Sequence, residues 1–100
     1  MIRHIVMFSA KRREDVGAIL QGLRLLEGIP AAHRLEVSLN QKTDQLANDI
    51  DVIVYGEFDD DAALAAFKAH SLYQQAIAIV RPLRDLRVAA DYKVSEVELT

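Results

Sequence analysis

The chain has 100 residues, no cysteine, a net charge of −3 and 51% hydrophobic residues. That describes one small domain, residues 1–100, without disulfides, thiolate nucleophiles or cysteine-held metals. The acidic balance argues against nucleic acid, whose phosphates attract basic footprints.

Residues 2–9 read as a strand. Ile2, His4, Val6 and Phe8 share one face and Arg3, Ile5 and Met7 the other. Both faces are largely apolar, so the strand is expected to be central and covered on both sides. Residues 13–28 read as a helix, with Val16, Ile19, Leu20, Leu23 and Leu26 at three-to-four spacing and Gly28 and Pro30 at its end. Gly17 and Gly22 lie inside it, each costing about 1 kcal/mol relative to alanine. Arg3, Lys11, Arg12 and Arg13 are followed by Glu14 and Asp15, which fits a solvated helix start better than a phosphate site.

Residues 34–39 form a weaker strand and residues 40–50 a polar loop. Residues 51–58 form a second central strand, rich in β-branched Val52, Ile53 and Val54. Asp59 to Asp61 supply caps and negative charge for a helix carrying Leu64 and Phe67. His70 marks a break, and Ser71-Leu72-Tyr73-Gln74 has the form of a capping box opening a further helical segment. Pro82 disturbs the end of that segment. Residues 86–94 are the last strand, and Ser95–Thr100 are either a frayed tail or an arm toward a partner.

The order strand, helix, strand, strand, helix, strand is the split βαβ, ferredoxin-like arrangement of the α+β class, with a four-stranded antiparallel sheet. Helices cover one face. The other carries Ile5, Met7, Ile53 and Tyr55, and a second copy of the chain is the simplest cover for it. These four residues are the expected dimer interface.

No glycine-rich phosphate loop, nucleophile elbow or metal-type histidine spacing occurs, so no metal or cofactor is expected. His33 should be solvated at the start of a strand. His4 falls on the face that meets the helices, and a buried imidazole needs partners for its ring nitrogens. It is either a core histidine bonded to the protein or a pocket residue. Phe8, Phe58 and Phe67 read as core, and Gly56 interrupts a bulky central strand. Residues 1–10 alternate instead of forming the apolar centre of a signal peptide, and no apolar run approaches a membrane span. The expectation is a soluble cytoplasmic protein with no membrane partner.

The opening Met-Ile-Arg-His-Ile-Val-Met-Phe resembles the stress-responsive A/B barrel, or Dabb, family. So do Glu57-Phe58-Asp59, Phe67-Lys68-Ala69-His70, Val80-Arg81-Pro82-Leu83 and Arg87-Val88-Ala89-Ala90-Asp91-Tyr92. The resemblance implies pairing of two sheets into a dimeric α+β barrel. In a plant polyketide cyclase similar to the family, a histidine at the position of His4 lines the active pocket. Members often read His-Pro-x-His where this chain has His70-Ser71-Leu72-Tyr73, so Tyr73 stands in place of the second histidine, to which the resemblance assigns the role of cyclase base. Phe67 stands in place of the tyrosine that partners it. An unperturbed tyrosine, with pKa about 10, is a poor base at neutral pH, so that mechanism does not carry over intact.

Asp91 aligns with an aspartate near the cyclase histidine, and its simpler role is structural. Gly22 falls where the cyclase has a pocket tyrosine, so with Gly56 it either enlarges the cavity or lets neighbours collapse into it. On this resemblance the pocket comprises Phe8, Gly22, Leu23, Val54, Gly56, Phe67, His70 and Asp91. Within it His4 would be the base and Tyr73 a hydrogen-bond donor. The expected function is binding of a small apolar or aromatic molecule by a homodimer, with cofactor-free acid–base chemistry if it is an enzyme. The alternatives are a non-catalytic assembly protein and, by fold analogy, a cofactor-free monooxygenase.

Overall fold

The computed structural model describes residues 1–94, so the expectation for Ser95–Thr100 lies outside the described residues. The elements are β1 (Ile2–Ala10), α1 (Val16–Leu23), β2 (Arg34–Leu39), β3 (Val52–Phe58), α2 (Asp61–Ala69), α3 (Ser71–Val80) and β4 (Arg84–Lys93). The strands form one sheet in the order β2-β3-β1-β4, every neighbouring pair antiparallel. This is the ferredoxin-like arrangement expected from the chain order. The Cα extents are 42 × 36 × 16 Å, a slab of one sheet and one helical layer.

Alternation along the central strands sets the core. Ile2, His4, Val6 and Phe8 of β1 are buried, as are Val52, Val54 and Phe58 of β3. Ile19, Leu23, Phe67, Ala76 and Val80 close over them from the helices. The helices pack over β1, β2 and β3, and nearly all of β4 is exposed.

β1 is central, but within one chain it is covered on one side only. Arg3, Ile5 and Met7 lie on an open sheet face. There Ile5, Ile53 and Tyr55 are half-buried and Met7 is 37% exposed. Pairing adds Val88 beside Met7, Ala90 beside Ile5 and Tyr92 beside Arg3 on the same face. Arg3 lies over the Tyr92 ring at 5.8 Å, and the Tyr55 hydroxyl donates to Glu57 at 2.6 Å.

Two helical expectations are corrected. The helix expected over 13–28 is α-helical only in its middle, with single 3₁₀ segments at Arg13–Asp15 and Arg24–Gly28, the tighter winding common at helix ends. The cap of α3 is His70, not Ser71. His70 is extended and its Nδ1 accepts the Leu72 N–H at 3.1 Å, leaving Ser71 as the first helical residue. Asp60 caps α2 as expected, accepting the Ala63 N–H at 2.8 Å.

The polar loop 40–50 is held at its base. Asn40 Nδ2 donates to the Ile50 carbonyl at 2.7 Å, and Asp51 accepts the Ala10 N–H at 2.8 Å and meets Lys42 at 2.6 Å. Partial burial works against the Asp51 charge. The bonds from Lys42 and Ala10 outweigh it and hold the carboxyl below the usual carboxylate range.

Candidate functional site

The sheet and helices part where β4 extends beyond the helical cover. A cavity of about 250 Å³ opens there, between the β1–β4 half of the sheet and the α1–α3 pair. His4, Val54, Phe67 and Tyr73 line it, as do Phe8 and Leu23. Six residues named from the sequence thus border one space. Leu26, Ile77 and three arginines, Arg81, Arg84 and Arg87, also line it and were not anticipated.

His4 is 2% exposed. The β1–β4 register sets it opposite Asp91, and its Nδ1 bonds the Asp91 carboxylate. Among the described residues this is its one side-chain hydrogen bond, which leaves Nε2 without a protein partner. Asp91 is 40% exposed, so the pair joins a buried ring to a solvated carboxylate. Such a carboxylate favours the tautomer with hydrogen on Nδ1, and Nε2 then carries the free lone pair.

Aromatic edges fix the surroundings. Phe67 lies edge-on to His4 at 6.3 Å and to Tyr73 at 5.4 Å, while Phe58 packs against His4 at 6.1 Å. These contacts suit aromatic pairs and leave a largely apolar cavity floor.

Four expected pocket residues, Gly22, Gly56, His70 and Asp91, do not line the cavity. A Cβ on Gly22 would fall 2.8 Å from Ile79 Cγ2 and 3.1 Å from Val80 Cγ2, so this glycine lets α1 approach α3 and opens no pocket. A Cβ on Gly56 would meet Phe58 Cε2 at 2.8 Å and Leu35 Cδ1 at 3.2 Å. Neighbours have therefore collapsed onto both positions. His70 is occupied in capping α3. Asp91 reaches the site through His4.

Among the described residues no group of His, Asp or Glu could hold a metal ion, and no helix is long and apolar enough to cross a membrane.

A dimeric ferredoxin-like protein of unknown function from Thermobifida fusca YX superimposes with a TM-score of 0.78 at 23% identity, covering 93% of this chain and 90% of that one. A Dabb family protein with a ferredoxin-like fold from Mesorhizobium loti gives 0.71 at 24% identity, over 94% and 96% of the two chains. A putative antibiotic biosynthesis monooxygenase from Nitrosomonas europaea gives 0.77 at 16% identity, over 94% and 98%. At these identities the likeness establishes the fold alone. No protein of curated function matches the chain in sequence. The family described as the stress responsive A/B barrel domain, Dabb, matches residues 2–94, and the chain belongs to that family.

Proposed function

We propose that two copies of this chain pair through their open sheet faces, and that each binds a small apolar or aromatic molecule in the cavity beside His4. The observation that carries the reading is a buried imidazole, bonded to Asp91 through Nδ1, bordering an apolar cavity with Nε2 unused. An open cavity reaching His4 favours ligand binding over a purely assembly role. The apolar face of Ile5, Met7, Ile53 and Tyr55 supports pairing, and the Thermobifida fusca neighbour is described as dimeric.

The chemistry available to this pair is proton transfer. With Asp91 holding hydrogen on Nδ1, Nε2 accepts a proton from a carbon next to a carbonyl. The C–H electrons move into the carbonyl as an enolate, and the Tyr73 hydroxyl donates a hydrogen bond to the enolate oxygen. Return of the proton to carbon or oxygen completes an isomerisation; alternatively the enolate carbon attacks a second carbonyl to close a ring, and the alkoxide so formed takes the proton back from Nε2. Asp91 steadies the imidazolium in between. No cofactor is needed for any of these steps.

2-Acetylnaphthalene is an apt probe, being neutral, aromatic and acidic next to its carbonyl. The protein should bind it and speed exchange of its methyl protons for deuterium in heavy water. His4→Ala should lower that rate by roughly a hundredfold or more while the fold persists. Binding with no catalysed exchange reduces the protein to a carrier, and absence of binding removes the proposal.

A further inference from the structure

The floor of the cavity is apolar, but its mouth is basic. Arg81 caps α3, and Arg84 and Arg87 lie on β4; all three border the same space. Among the described residues none of them pairs with a carboxylate or makes a side-chain hydrogen bond. The nearest acid in sequence, Asp85, borders a separate hollow beside Arg13 and Asp51. Asp91 is engaged by His4. In a chain of net charge −3, three cations around one cavity run against the overall balance.

Their convergence is built into the backbone. Residues three apart on a regular strand point to opposite faces. Here the β1–β4 register shifts between Phe8 and Ala10, so Phe8 pairs with Arg87 and Ala10 with Arg84. Phe8 and Ala10 are two apart on one face. The extra residue in β4 therefore turns Arg84 and Arg87 to the same side, as a bulge does when it re-aims a side chain. The buried Ser9 hydroxyl fixes the irregularity by accepting the Leu86 N–H at 2.9 Å. Arg84 is half-buried, while Arg81 and Arg87 are exposed.

We infer that the ligand is an anion: an apolar or aromatic carboxylate whose ring fills the cavity and whose acid group is held at the mouth by Arg81, Arg84 and Arg87. This rests on the cavity being the binding site and adds the charge of what enters it. A guanidinium matches a carboxylate in two parallel hydrogen bonds, and the partial burial of Arg84 lessens screening there. With the acid group at the arginines, the ring is directed toward Phe67, Tyr73 and His4.

Two probes of matched shape test this: 2-naphthoate, which is charged, and 2-acetylnaphthalene, which is neutral. Calorimetric titration of the unmodified protein should show naphthoate binding tighter by about tenfold, the factor one charge-assisted contact supplies at a solvated site. Added sodium chloride should erode that advantage. The double variant Arg84→Gln/Arg87→Gln should lose the tenfold preference and its salt dependence, bringing acid and ketone to similar affinities. Arg81→Gln should reduce the preference in part. Equal binding of acid and ketone, unchanged in the arginine variants, overturns the charge assignment and leaves the cavity reading intact. Binding of neither probe overturns both.

Discussion

Replacing Gly22 by alanine separates its two possible roles, pocket wall or helix contact. In an open helix interior that change stabilises by about 1 kcal/mol, because alanine loses less backbone freedom. At Gly22 the new methyl would sit 2.8 Å from Ile79 Cγ2 and 3.1 Å from Val80 Cγ2. Ile79 is 43% exposed and can turn away, whereas Val80 is 2% exposed and cannot. Overpacking of this kind costs about 1–3 kcal/mol, so the net effect is from near zero to about 2 kcal/mol of destabilisation.

Gly17 provides the control. It lies on the same helix with nothing within 4 Å of its Cβ position, and Gly17→Ala should gain up to about 1 kcal/mol. Urea unfolding of the two variants should therefore place Gly17→Ala above the parent and Gly22→Ala at or below it. In a domain this small each 1 kcal/mol moves the melting midpoint by about 4–8 °C, well within thermal resolution. Gly22→Leu should lose far more stability and is no test of the cavity. Equal gains at both glycines would refute the close approach of α1 and α3.

Further outcomes follow from other contacts. On the proposed pairing, sedimentation should show a dimer for the parent and a monomer for Ile53→Lys, which puts a charge on the open apolar face; a parent that is monomeric at micromolar concentration contradicts the pairing. Asp51 has its carboxyl held below the usual range, so its stabilisation is present above the unfolded carboxylate pKa of about 4 and is lost as pH falls through the lower folded value. Asp51→Asn should accordingly narrow its deficit against the parent as pH drops below about 4, by denaturant titration across pH; a constant deficit contradicts the assignment. Ser9→Ala removes the acceptor of the Leu86 N–H, so unfolding should show a loss of about 0.5–1.5 kcal/mol, and the naphthoate preference should weaken as the bulge relaxes.

The parts of the fold readable from the sequence were those governed by local period. Alternation in β1 and β3 placed His4, Phe8 and Val54 on the helix side and Ile5, Met7, Ile53 and Tyr55 on the other face. The acidic run at Asp59–Asp61 marked the start of α2 because Asp60 caps it locally. Strand register and helix approach were less legible. The His4–Asp91 bond and the turning of Arg84 and Arg87 to one face depend on how β4 aligns with β1, and nothing near residue 85 signals the shift. The place of Gly22 depends on how closely α3 crosses α1. His70 looked like part of a pocket motif, and its ring instead satisfies a helix terminus two residues away.

The most direct test of the central claim is where an aromatic ligand contacts the protein in solution. Intermolecular nuclear Overhauser effects from bound 2-naphthoate should reach the rings of Phe67 and Tyr73 and the methyls of Val54 and Leu26, with the His4 ring signals shifting on titration. Effects confined to Met7, Ile53 and Tyr55 on the open sheet face, with His4 unmoved, would contradict the account.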